Sequence, residues 1–205
     1  MNNDLKIHNF LPSSYANGPG RRAVVWVQGC SLKCPGCYNP DTHNPEGGFT
    51  ISVSELYNKI VSLKDSIEGI TISGGEPLEQ PEALAELVQK IRETTNFSII
   101  VFTGYEWNEL ENILNYSEEK TNPKPTLTPN MLRKVINSID ILIAGRFDFK
   151  QKIGRHLLGS ANKTIRFFTN RYNLKDFDNV PESEIVITAD GKVVISGINP
   201  PRLKV

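Results

Sequence analysis

The sequence is short of the residues from which secreted scaffolds are built: 205 residues hold only three cysteines, an odd number that no intramolecular disulfide framework can satisfy. Long hydrophobic runs are missing too. No segment approaches the roughly 18 apolar residues a spanning helix needs, and Met1 to Phe10 has no uninterrupted apolar stretch of signal-peptide length. These absences point to a cytoplasmic protein. Net charge is absent as well, with 23 Lys plus Arg against 23 Asp plus Glu. That balance removes any global attraction to nucleic acid or to an anionic membrane, so neither is expected as a partner. What remains is ordinary: 39% hydrophobic and 22% charged residues suit a soluble globular chain, and the length fits one domain, residues 1–205. The three cysteines all fall within eight positions, which a metal explains better than a disulfide does.

Ala23 to Gln28 (AVVWVQ) is a short apolar run between Gly18-Pro19-Gly20 and Gly29, which predicts a buried strand. Gly29 to Gly48 has many Pro, Gly and Asn residues and no apolar periodicity; it reads as a loop that needs ligation to become ordered. Ser52-x-x-Glu55 predicts a capping box for a helix to Leu63, with Val53, Leu56, Ile60 and Leu63 on one face. Glu68 to Ser73 is a strand, followed by Gly74-Gly75-Glu76-Pro77 and a helix from Pro81 carrying Leu84, Leu87, Val88 and Ile91. The alternation continues with a strand at Phe97–Phe102, helices at Tyr105–Leu114 and Pro129–Ile136, and a strand at Ile139–Ala144. Thr164 to Phe168 suggests a further strand, and Glu184–Thr188 with Lys192–Ser196 around Asp190-Gly191 suggests a terminal hairpin. The fold class is α/β. Strand and helix alternation predicts parallel strands backed by helices, with functional residues on the loops at the strands' carboxyl ends.

Cys30-Ser-Leu-Lys-Cys34-Pro-Gly-Cys37 places three thiols at offsets of four and three. A four-iron cubane held by three protein sulfurs keeps one iron for another ligand, and the amine and carboxylate of a small molecule can chelate it. A structural zinc site with His43 as fourth ligand, and free buried thiols, are the competing readings; spacing alone leaves them open. The Gly-Gly-Glu-Pro segment, about forty residues later and directly after a strand, lets backbone approach a ligand closely, and Glu76 offers an acceptor to an ammonium group. Alone it is more often a tight turn before a helix. Behind a Cys-x3-Cys-x2-Cys loop in an alternating chain it becomes specific.

With these blocks the sequence resembles the radical S-adenosylmethionine superfamily, in the branch of the anaerobic ribonucleotide reductase activating proteins. The resemblance spans about Gly18 to Asn170. It rests on Gly18-Pro19-Gly20, Gly29-Cys30, Cys34-Pro35-Gly36-Cys37-Tyr38-Asn39, Ser73-Gly74-Gly75-Glu76-Pro77, Thr103-Gly104-Tyr105 and Gly159-Ser160-x-Asn162. The resemblance implies an incomplete TIM-like (βα) barrel of parallel strands, with 171–205 as a C-terminal extension ending in a short hairpin. It implies one [4Fe-4S] cluster on Cys30, Cys34 and Cys37, with Gly36 and Tyr38 flanking S-adenosylmethionine and Gly74, Gly75 and Glu76 holding its methionine end. No catalytic side chain is implied, since cluster and cofactor carry the chemistry.

The activity implied is reductive cleavage of S-adenosylmethionine to a 5'-deoxyadenosyl radical that generates a glycyl radical on a large partner enzyme. Anaerobic ribonucleoside-triphosphate reductase is the expected partner, and a flavodoxin or ferredoxin the expected electron donor. Two alternatives stand beside it: radical chemistry on a small molecule or peptide, as in deazapurine carboxylate synthases, and a non-catalytic iron-sulfur or zinc module. The chain departs from its relatives at Ala144-Gly145, where an acid often precedes the glycine. Lys33, Arg21 and Arg22 read as a solvated basic edge near the cluster loop, Asn39 and His43 as candidate hydrogen-bond partners of cluster sulfurs, and Trp26 and Trp107 as packing residues. His8 and His156 show no partner spacing.

Overall fold

The computed structural model describes residues 3–116, 126–187, 191 and 193–198. Its elements run β1 (Asp4–Ser14), β2 (Arg22–Val27), β3 (Phe49–Ser52), α1 (Val53–Val61), β4 (Gly69–Gly74), α2 (Pro81–Thr94) and β5 (Ser98–Thr103). They continue with α3 (Trp107–Leu114), α4 (Pro129–Ser138), β6 (Ile141–Ala144), β7 (Lys152–Arg155), β8 (Leu158–Ser160), β9 (Thr164–Phe167), β10 (Ser183–Ile187) and β11 (Val193–Gly197). Seven strands form one sheet in the order β3-β1-β2-β4-β5-β6-β9. The middle four, β2, β4, β5 and β6, are parallel, and β1, β3 and β9 pair antiparallel at the flanks. The expectation was an incomplete barrel of parallel strands; the sheet is instead mixed, and among the described residues it does not close into a barrel. The C-terminal hairpin, β10 with β11, is present; Thr188, Asp190 and Lys192 of its expected turn lie outside the described residues, as does most of the polar loop before Pro129.

Strand alternation gives the sheet two different faces. Ala23, Val25 and Val27 of β2, Ile70 and Ile72 of β4, Ile99 and Val101 of β5 and Leu142 and Ala144 of β6 pack beneath all four α-helices in one core. Apolar stripes on the helices complete it: Val53, Leu56 and Ile60 of α1, and Leu84, Leu87, Val88 and Ile91 of α2. The capping box expected at Ser52 is half formed. Ser52 accepts from the Glu55 amide at 3.1 Å, whereas the Glu55 carboxylate reaches Lys59 at 3.4 Å; the reciprocal box is at Glu106 and Glu109.

The other face carries a second cluster, in which Ile100, Ile141 and Ile143 meet Leu157 and Phe177, with Tyr172, Val180 and Ile198 packed against them. Chain beyond residue 170 therefore covers the face that a closed barrel would enclose. At β2 and β4 this face is polar. Arg22, fully buried, donates to Thr71 Oγ1 (2.8 Å), Pro19 O (3.0 Å), Ser98 Oγ (2.7 Å), Ile70 O (2.5 Å) and Ser98 O (3.0 Å). All five guanidinium hydrogens thus find acceptors, and the group joins the amino ends of three strands. Burial lowers its pKa to about 10, so it remains a cation at neutral pH. Arg22 is consequently not part of a solvated basic edge: the cysteine loop leaves the other end of β2.

Four strands are missing from the sequence reading: the short β3, β7 and β8, and the long β1. In β1 the apolar alternation, Leu5 then Ile7, breaks where the pairing with β2 shifts register between Ile7 and Asn9 and again between Leu11 and Ser14, so no period of two persists. Among the described residues no helix is long and apolar enough to cross a membrane.

Replacing Arg22 with alanine leaves buried acceptors unpaired on β4, on β5 and at Pro19, and we expect about 3–5 kcal/mol of lost stability in urea unfolding of the iron-free protein. A loss under about 1 kcal/mol would show that the network relaxes around water instead.

Candidate active site

Three loops at the carboxyl ends of β2, β4 and β5 meet around one cavity of about 260 Å³. Cys30, Cys34 and Cys37 line it together with Tyr38, His43, Trp26, Gly74, Gly75, Glu76, Thr103, Gly104 and Lys163. Backbone and side-chain bonds tie the cysteine loop at its base. Gln28 Nε2 donates to Asp41 O (3.0 Å) and Asn44 O (2.6 Å), its Oε1 lies 2.9 Å from His8 Nδ1, and the Gly29 and Cys30 amides donate to Thr42 O (2.8 Å) and His43 O (3.3 Å). Those bonds close both ends of the segment and leave the thiols on the span between them. Its tip turns at Cys37 N to Cys34 O (3.1 Å), with Gly36 at φ +72 under Phe149 and Phe147.

The three thiols are half-buried and free of disulfides. Burial pushes the Cys30 and Cys37 thiols up; the amides of Leu32 and Lys33 at Cys30, and of Asn39 at Cys37, oppose it by favouring thiolate. The Asn39 contact is its backbone N–H, 3.4 Å from Cys37 Sγ, rather than the side chain considered from sequence. Among the described residues no three or more of His, Cys, Asp and Glu converge closely enough to hold a single metal ion. The thiols ring a space instead, a donor arrangement that suits the separate corners of a cubane. Tyr38 Oη and His43 Nε2 are buried without a hydrogen-bond partner, and both residues line the cavity, so two polar atoms beside it are left without the partner that buried polar groups ordinarily have. Donor set, cavity and orphaned atoms fit an iron-sulfur cluster with a small polar molecule beside it.

The Gly-Gly-Glu-Pro loop is bonded to the cysteine loop. Gly75 N donates to Val27 O and Glu76 N to Gly29 O, both at 2.8 Å. A Cβ on residue 75 would sit 2.2 Å from Gly29 O, a contact only glycine allows. Glu76 is buried, and its carboxylate accepts from Leu78 N (2.9 Å), Thr103 Oγ1 (2.8 Å) and Gly104 N (2.7 Å). The sequence reading offered this carboxylate to a ligand's ammonium group; the structure shows it also welding the Thr103-Gly104-Tyr105 segment to the loop after β4. Burial lifts its pKa to about 7 despite those three donors.

Several cavity residues carried no local sequence signal. Lys163 follows the Gly159-Ser160-x-Asn162 block, donates to Gly145 O, and is the lysine of the lining; burial lowers its pKa while Cys34, Glu76 and Cys37 raise it. Trp26 turns out to be cavity lining, whereas Trp107 packs under Arg166 and beside Phe168. His8 and His156 both have partners, Gln28 and Asp178.

Because the Glu76 proton is held more tightly in the fold (about 7 against an ordinary 4.5), the folded state is favoured most below pH 4.5. Stability falls as pH rises, and the fall is complete above about 7. Urea unfolding of the iron-free protein from pH 5 to 8 should show this decline, and Glu76→Gln should flatten it. An equal slope in the variant would assign the decline to other groups.

Residues 16–166 match the 4Fe-4S single cluster domain family. The anaerobic ribonucleoside-triphosphate reductase-activating protein of Vibrio cholerae is 32% identical over 173 residues, covering 80% of this chain and 99% of that protein. Its Salmonella typhi counterpart is 34% identical over 151 residues, 70% of this chain and 85% of that one. The pyruvate formate-lyase-activating enzyme of Clostridium pasteurianum is 37% identical over 117 residues, 55% of this chain, and the chain spans about half (49%) of its length. A cavity ringed by three thiols, coupled through Glu76 to two further loops, therefore lies in a chain that belongs to the 4Fe-4S single cluster domain family, among the radical S-adenosylmethionine activating proteins.

Proposed function

We propose that this chain reductively cleaves S-adenosylmethionine and generates a glycyl radical on a large partner enzyme, anaerobic ribonucleoside-triphosphate reductase or a close analogue. The carrying observation is the single cavity in which three half-buried thiols, two orphaned polar atoms and the Gly-Gly-Glu-Pro loop meet. Cys30, Cys34 and Cys37 would hold the [4Fe-4S] cluster; Gly36 and Tyr38 would flank the cofactor, and Gly74, Gly75 and Glu76 would hold its methionine end. When bound, the cluster and S-adenosylmethionine supply the electron transfer, the sulfur–carbon cleavage and the hydrogen abstraction.

The chain's own contribution is geometry and environment. Bonds from Gly75 and Glu76 amides to Val27 and Gly29 hold the methionine loop in register with the thiols. Trp26, Phe102, Phe147 and Leu157 give the cavity apolar walls that exclude water. Lys163 places an ammonium in the lining near Cys34 and Cys37, countering the negative charge that thiolates bring. Four parallel strands with all α-helices on one face support the finer fold reading, an arc of an incomplete (βα) barrel whose carboxyl edge carries the site. A cytoplasmic setting and a flavodoxin or ferredoxin as electron donor complete the proposal.

Anaerobically reconstituted protein should carry about four irons per chain, form 5'-deoxyadenosine from S-adenosylmethionine under reduction, and give a glycyl doublet in the electron paramagnetic spectrum of the partner reductase. Cys34→Ala should lose iron and cleavage together. Cleavage that persists in Cys34→Ala would falsify the cluster assignment; deoxyadenosine from a small substrate with no doublet would favour small-molecule chemistry.

A further inference from the structure

The cavity has a wall that the family does not account for. The family match ends at residue 166, yet Ile195, Ser196, Gly197 and Ile198 line the same space as the three cysteines. This wall is built into the fold at several points. Ser196 Oγ accepts from Asn17 Nδ2 at 2.5 Å, both residues being buried and both lining the cavity. Directly opposite Ser196 in the hairpin, Glu184 Oε2 accepts from Ser14 Oγ (2.7 Å) and Tyr15 N (2.8 Å), fixing β10 to the end of β1. The Ile198 amide donates to Glu182 O at 2.9 Å, and its side chain packs with Ile100, Ile141 and Ile143 on the sheet. Upstream, Phe177 is fully buried in the same cluster and Tyr172 Oη donates to Ser98 Oγ at 2.9 Å. Among the described residues the extension is thus anchored at Tyr172, Phe177, Glu184, Ser196 and Ile198, and β11 ends at the site.

The lining divides by chemistry. Thiols, the Gly-Gly-Glu-Pro loop and Lys163 suit the charged amino-acid end of a ligand. Phe102, Leu157, Ile195 and Ile198 are apolar, with Asn17 and Ser196 as neutral polar groups between them; apolar surfaces with a few placed hydrogen-bonding groups suit a flat, uncharged heterocycle and its sugar. We propose that the C-terminal hairpin is an integral wall of the S-adenosylmethionine site, in which Ser196, Ile195 and Ile198, with Asn17 and Phe102, receive the nucleoside end of the molecule. This rests on the function proposed above, and it gives residues 171–205 a role in cofactor binding rather than in packing alone.

Hydrogen–deuterium exchange of the reconstituted protein, with and without saturating S-adenosylmethionine or the uncleavable S-adenosylhomocysteine, tests it apart from turnover. The expected result is slower exchange both at 73–77 and at 193–198. Slowing at 73–77 alone overturns the wall while leaving the proposed function standing; no slowing at either segment overturns both. Ser196→Ala, which keeps the hairpin's backbone pairing, provides the second measurement: the S-adenosylmethionine dissociation constant should rise about three- to tenfold, the worth of one neutral hydrogen bond. An unchanged constant counts against the wall.

Discussion

The carboxylate of Glu76 is the constraint on which the site depends. It is buried at the carboxyl edge of the sheet and accepts from three donors drawn from two loops, while its own amide is bonded to Gly29 at the start of the third. Three segments that are remote in sequence are thereby held at one place by one residue. A neutral side chain of similar size could cap the turn at Leu78, but an acceptor-only group with two oxygens is what lets Thr103 and Gly104 share it. Keeping that charge out of water is unfavourable, and burial raises the pKa of the group accordingly.

A second constraint acts at the opposite end of the same strands, where Arg22 ties β2, β4 and β5 through acceptors that are all neutral. Among the described residues it makes no ion pair. The sheet is thus gripped at its amino edge by a cation and at its carboxyl edge by an acid, both on or beside the face that the helices leave bare. That bare face is where the C-terminal residues pack, and four of them join the lining of the cavity.

Much of this was legible in the residues. The parallel strands and helices followed from apolar periodicity, since β2, β4, β5 and β6 are buried on both faces and read as short continuous runs. The cysteine loop and the Gly-Gly-Glu-Pro loop announced themselves by composition. β1 did not, because two register shifts destroy its alternation, and neither did the antiparallel direction of β9, which no local pattern encodes. Lys163 and the hairpin wall were hidden for a different reason: their place is set by long-range packing, with Asn17 and Ser196 separated by most of the chain. Arg22 was misplaced because a charge near a loop in sequence was assumed to be solvated, whereas it lies at the far end of the strand that leads there.

The clasp that Gln28 makes across Asp41 and Asn44 is built from an uncharged amide and two backbone carbonyls. Added salt therefore does not screen it as it would an ion pair, and the base of the cysteine loop keeps its grip whatever the ionic strength.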